Sequence, residues 1–244
     1  MVKALVKIWI VASITGCTLT MASGQDLRQI YAIAPARFVI SKSDLDHGRK
    51  QVERVLQDRP GMGKYIARED TVYRWLVEQF AGEGIGQRIY WSNETPTHGT
   101  AGQNHPPENG GAAKVLVRKQ DLNMKEVECA ALIYELLNIR NGREFNKLFR
   151  RFLTAKPVKP NPQLREEFVL RASMLEYNTL VSTKSFYSLV WLPSLKEKHI
   201  ESDSWSWRTT IPSSFSEWRK SDDAKTFLKY WGEAYDNWLA SKKG

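Results

Sequence analysis

Cysteine is nearly absent from this chain, with only Cys17 and Cys129 in 244 residues. No disulfide framework can staple the fold, so stability has to come from a packed core. Histidine is also scarce, at four residues, which leaves few imidazoles for metal binding or proton transfer at neutral pH. No Gly-x-Ser-x-Gly elbow, phosphate-binding loop or dinucleotide glycine fingerprint occurs, which removes the commonest nucleophile and nucleotide sites. Downstream of the first residues there is no internal repeat and no apolar run of the roughly 20 residues needed to span a bilayer.

What the first 24 residues contain is an address. Lys3 and Lys7 precede a short apolar run from Ile8 to Ile14, followed by Thr15, Gly16 and Cys17. A positive region, an apolar region and a small-residue processing site, in that order, read as an export signal. Ile14-Thr15-Gly16-Cys17 resembles the lipobox of bacterial lipoproteins. That resemblance implies lipidation at Cys17, cleavage before it, and attachment to the membrane through an N-terminal lipid. Cleavage after Ala22 or Gly24 is the alternative and implies a soluble periplasmic or secreted protein. The expected organisation is a signal peptide over 1–24, a tether over 25–42 and one globular domain over 43–244, a size that suits a single core.

The formal net charge is +9, and cleavage before Cys17 removes Lys3 and Lys7 with no acid, leaving +7. The densest basic stretch, Arg140 to Lys159, has the composition of a solvated helix face, with anionic lipid or an acidic wall polymer as the functional alternative. It carries no stacking-aromatic motif, so nucleic acid is not expected as a partner.

Hydrophobic spacing predicts an α+β fold, mainly α, with helices packed on a small β-sheet and a Trp-rich C-terminal amphipathic helix. Helices are expected from Asp44 to Gln57 behind a Ser43 cap, from Asp70 to Phe80, from a capping box at Asn123–Glu126 to about Asn141, over Arg143–Leu153, and from Pro162 to about Thr183. Short strands are expected at Arg88–Trp91 and Lys114–Arg118. Phe186–Pro193 and Trp205–Pro212 read as irregular or β-like. Asp222 should cap the last helix, where Phe227, Leu228, Trp231, Ala234, Tyr235, Trp238 and Leu239 form one wide apolar stripe. Five of the nine tryptophans lie between Trp205 and Trp238, and the regular stripe favours docking into the core over a ligand platform. Cys129, among Val127, Ala130, Ala131 and Leu132, reads as a buried, inert thiol.

Chemistry-bearing residues gather in two places. Ser92–Ala113 is a long Gly/Pro-rich segment holding His98 and His105 beside Glu94 and Glu108, and it reads as an exposed loop. The second place is Tyr134-Glu135-Leu136-Leu137-Asn138 in a helix that follows a strand, with Glu176 on a later helix. This arrangement resembles the zincin metallopeptidases, in which His-Glu-x-x-His puts two imidazoles on zinc, the Glu activates the metal-bound water, and a downstream Glu or His completes the site. The resemblance implies that Glu135 stands at the water-activating position and Glu176 at the third-ligand position. It also places Tyr134 and Asn138 where the imidazoles belong. A phenol with pKa near ~10 and a carboxamide are poor zinc donors, so no metal and no other cofactor is expected. Two readings follow. One is a non-catalytic binding or structural domain of the bacterial cell envelope, with Tyr134 and Asn138 in a degenerate cleft and an envelope protein or wall polymer as partner. The other is an envelope hydrolase using Glu135, Glu176, His98 and His105.

Overall fold

The computed structural model describes residues 40–82, 88–96, 100–105, 112–120, 124–153 and 161–241. The fold is α+β and mainly α, as the hydrophobic spacing predicts. Helix α1 (Lys42–Asp58) is capped by Ser41, whose hydroxyl accepts from Asp44 N at 3.2 Å. The cap is Ser41 and not Ser43, because Ser41 holds the extended φ/ψ a capping residue needs, while the Ser43 hydroxyl accepts from Arg88 instead. Helix α2 (Thr71–Phe80) starts at Asp70, which accepts from Tyr73 N, and ends before Gly82, whose φ of 86° is the left-handed stop that glycine supplies.

Strands β1 (Ile89–Ser92), β2 (Gly102–His105) and β3 (Ala113–Val117) form one sheet in the order β1-β3-β2. β1 runs parallel and β2 antiparallel to β3. The outer side of β1 is covered by α1: Trp91 N donates to Gln51 Oε1 at 2.9 Å, and His47 Nε2 lies 2.9 Å from Ile89 O. These side chains stand in for a fourth strand and satisfy backbone groups that an edge leaves open. Strand β2 falls inside the segment expected to be loop. Its Gly-Gln-Asn-His sequence lacks the β-branched and aromatic residues that mark strands, so tertiary pairing with β3, and not local propensity, creates it.

Helix α3 (Lys125–Arg140) is the centre of the molecule, buried on nearly all sides. Its cap position is Met124, which makes no side-chain capping bond; Asn123 of the expected capping box lies outside the described residues, and Glu126 is used differently, as shown below. Helix α4 (Gly142–Leu153) is followed by α5 (Pro162–Phe186), where Asn161 accepts from Gln163 N and Leu164 N. The chain beyond Phe186 is not irregular: it widens into a π turn at Tyr187–Trp191 and continues as α6 (Leu192–Glu197). Pro193 has no N–H to give the preceding turn, and the wider turn ahead of it accommodates that loss without breaking the helix. A 3-10 turn at Ser204–Trp207 and helix α7 (Phe215–Trp218) lead to α8 (Asp222–Ser241). The capping hydroxyl of α8 is that of Ser221, accepting from Ala224 N, one residue before the expected Asp222.

One core joins α1, α2, the sheet, α3 and the π turn; a second joins α4, α5 and α8. In the second, Trp231 is fully buried and stacks on Phe145 with ring centroids 4.8 Å apart. Tyr235, Trp238 and Leu239 are buried beside it, so the stripe of α8 is core. Trp207 and Trp218 are buried as well, whereas Trp205 is 74 % exposed. No helix among the described residues is long and apolar enough to cross a membrane.

Candidate functional site

The packing of α3 under the sheet and against α5 brings together Tyr134, Glu135, Asn138 and Glu176. Side chains alternate along a strand, and in β2 the alternation sets Gly102 and Asn104 toward α3. Asn104 Nδ2 donates to Glu135 Oε2 at 2.7 Å. Gly102 lies so near that a Cβ there would fall 3.0 Å from Glu135 Oε1. His105, one residue from Asn104, faces the other side of the sheet, opposite Lys114 in register and in the field of Glu94. The structure therefore does not bring His105 to Glu135, and His98 lies outside the described residues.

Glu135 is 6 % exposed and Glu176 3 %. Burial penalises a lone charge and pushes Glu135 up to about 7, with the amides of Asn104 and Asn138 pulling the other way. Glu176 accepts from the Tyr134 hydroxyl at 2.7 Å. Burial raises it to about 8; the Tyr134 bond opposes this, the Glu135 charge adds to it, and Trp231 and Arg208 oppose it weakly. Asn138 and the Trp231 indole thus lie within electrostatic reach of the two carboxyls, yet among the described residues Asn138 Nδ2 and Oδ1 and Trp231 Nε1 have no hydrogen-bond partner of normal geometry. The Tyr134 phenol is raised well above its ordinary value by burial and by Glu176. Tyr230 on α8 is raised by burial and then by both glutamates.

These residues do not fit a zinc ion. Tyr134 holds its proton and spends it on Glu176, and Asn138 offers a carboxamide where an imidazole is needed. Among the described residues, no group of three or more His, Cys, Asp or Glu is placed to hold a metal. Glu135 is sealed on one side by Gly102 and bonded by Asn104.

Of the other two acids of α3, sequence spacing reads Glu126 only as part of a capping box and does not single out Glu128. Glu126 Oε1 accepts from Trp191 Nε1 and Trp207 Nε1, each at 2.8 Å, and from Ser202 Oγ, while Oε2 accepts from Asp203 N at 2.8 Å. Glu128, fully buried, pairs with Lys125 Nζ at 2.9 Å and lies 4.0 Å from Arg59 Nε. The signal was available as three glutamates in a helix otherwise rich in Ala, Leu and Ile, since acids there have to find donors inside the protein. Cys129 is fully buried, its thiol pushed well up by burial and by Glu126 and Glu128, which makes it inert. In the basic stretch, Lys147 pairs with Glu144, and Arg151 with Glu167 at 2.9 Å; Lys156 and Lys159 lie outside the described residues.

No protein-family model matches the sequence, and no curated protein or solved structure matches it.

Proposed function

We propose that this chain is an exported, lipid-anchored domain of the bacterial cell envelope that binds or scaffolds without catalysis, built on a helix pair that resembles a zincin stripped of its metal site. The observation that carries the non-catalytic reading is the state of Glu135. It sits at the water-activating position of the resemblance, yet its carboxyl is 6 % exposed and tied to Asn104 of β2. The flanking Tyr134 and Asn138 are a bonded phenol and a buried amide. The envelope location rests on Lys3, Lys7 and the Ile14–Cys17 sequence, and the partner class, an envelope protein or wall polymer, follows from that location.

The decisive experiment is metal analysis of the purified domain after dialysis against a weak chelator, with Glu135→Gln alongside. The domain retains no stoichiometric zinc, and the variant changes stability and no hydrolytic activity. One tightly held zinc per chain, lost on substituting Glu135 or Glu176, overturns the reading in favour of a hydrolase. Intact mass of the membrane fraction tests the anchor: a lipidated N-terminus at Cys17 is expected, and an unlipidated start at Ser23 or Gln25 excludes it.

A further inference from the structure

Between the first turns of α1 and the start of β1 lies a cavity of about 430 Å³, lined by Lys42, Ser43, Asp46, His47, Lys50 and Arg88. Three of these six side chains are cations and one is an acid. Lys42, Asp46 and Lys50 stand four residues apart on one row of α1, and Ser43 and His47 on the next, so helical spacing alone brings five of them to one side. Arg88 joins them from the position before β1. Its Nε donates to Asp44 Oδ1 at 3.2 Å and its Nη2 to Ser43 Oγ at 2.9 Å, which holds the guanidinium against α1 with donors to spare.

The acids nearby are already engaged. Asp44 accepts from Arg88 and from the Ser41 hydroxyl, and Asp46 pairs with Arg49 at 3.2 Å. That leaves the ammonium groups of Lys42 and Lys50, on exposed positions, as uncompensated charge among the described residues. The inner wall is rigid. His47 is 8 % exposed and its Nε2 lies 2.9 Å from Ile89 O; a carbonyl oxygen only accepts, so Nε2 carries a proton and the ring is held in one orientation against β1. A fixed floor with three cations around it suits an anion that has acceptor oxygens on several sides. Phosphate has them, and a carboxylate, with two oxygens in one plane, does not.

The place of the cavity indicates where such a phosphate comes from. Ile40 is the first described residue, so the chain enters the domain at this end of α1. Cys17 lies 25 positions before Lys42, a reach of at most roughly 80 to 90 Å. Of the described residues, those nearest in the chain to a lipid on Cys17 are therefore the ones that open this cavity. We infer that the cavity binds the headgroup phosphate of an anionic lipid and seats the domain on the bilayer surface. For the source of the phosphate the inference rests on the lipid-anchored reading; the cation-lined cavity stands without it.

The test uses the full chain with Cys17→Ser, which carries no lipid of its own, sedimented with vesicles of phosphatidylglycerol or of phosphatidylcholine. The chain binds the anionic vesicles and not the zwitterionic ones, and added salt weakens the binding. Lys42→Gln/Lys50→Gln, at two exposed helix positions that tolerate glutamine, loses about tenfold or more of the affinity. Lys225→Gln/Lys229→Gln removes the same charge from exposed positions of α8 and changes the affinity less than about twofold. Residues 1–24 are common to all the proteins compared, so their own contribution cancels. Equal losses in the two double variants, or equal binding to both kinds of vesicle, overturn the inference. Inorganic phosphate that binds the chain while the anionic vesicles do not assigns the cavity to a free phosphate ester and overturns the lipid. The anchor is read separately, from the intact mass of the wild-type chain, so a missing anchor and a missing phosphate site are told apart.

Discussion

Gly102 presses its α-carbon against Glu135 so closely that a methyl group in its place would sit 2.8 Å from Glu135 Cγ. Strand and helix meet there without room for any side chain. Gly102→Ala should therefore cost about 1 to 3 kcal/mol through forced movement of the Glu135 stem or of β2. Urea unfolding of the full chain measures it. In a Glu135→Ala background the atoms that clash are gone and the loss should shrink to under about 1 kcal/mol, a coupling that a double-mutant cycle reports. Equal losses in both backgrounds would show that the strand is not seated on Glu135.

Glu126→Gln tests the hub at the start of α3. The carboxylate accepts from four donors on two separate stretches of chain, the π turn and the 202–207 segment. An amide keeps one acceptor oxygen and turns its N–H₂ toward groups that themselves donate, so at least one donor is left unpaired inside the protein. The expected loss is about 2 to 4 kcal/mol, since bonds to a charged acceptor are worth more than neutral ones. Near-ultraviolet circular dichroism should change with it, because Trp191 and Trp207, with rings 4.7 Å apart, both hang on this oxygen. A variant with unchanged spectrum and stability would sink the assignment.

Much of this fold is legible from residue spacing, and the reason is burial with a period. The stripe of α8 and the start of α5 at Pro162 come from local rules, and the structure has both. Strand β2 was not legible, because Gly102, Gln103, Asn104 and His105 have no strand preference of their own and acquire one only from pairing with β3. The continuation of α5 through the π turn was hidden by Pro193, which reads locally as a stop. In the candidate site, Tyr134, Glu135, Asn138 and Glu176 could be gathered from helical spacing and a family resemblance. Asn104 and Gly102 could not, since their role depends on a strand that the sequence conceals.

Trp231→Ala and Trp205→Ala separate core from surface within the tryptophan-rich segment. The Trp231 ring is fully buried between Phe145 and Phe168, and the Trp205 ring is 74 % exposed. Removing the first should cost about 3 to 5 kcal/mol, and removing the second less than about 0.5 kcal/mol. Chemical denaturation of both variants gives the comparison. Losses of similar size would mean that α8 does not dock as described.

Stability should fall as the pH rises through neutrality, and the sign follows from the two raised carboxyls. Glu135 and Glu176 stand at about 7 and about 8 in the folded protein, against an ordinary value of 4.5. Between those limits the folded state holds protons that the unfolded state has released, so folding is favoured by low pH. The contribution is complete below about pH 4.5 and is lost progressively as pH passes through about 7 and then 8. For Glu135 alone the displacement corresponds to roughly 3 kcal/mol, and mutual repulsion ties the two titrations into one process. Urea unfolding at intervals from about pH 5 to about pH 9 should show a decline of at least that order. Glu176→Gln removes one of the two charges and keeps a carbonyl oxygen for the Tyr134 hydroxyl, so it should flatten the decline by half or more and leave the variant more stable than wild type at the alkaline end. A wild-type profile without decline, or a variant that declines in parallel with it, would mean that the folded protein keeps both glutamates ionised and that their burial is compensated by donors other than those facing them.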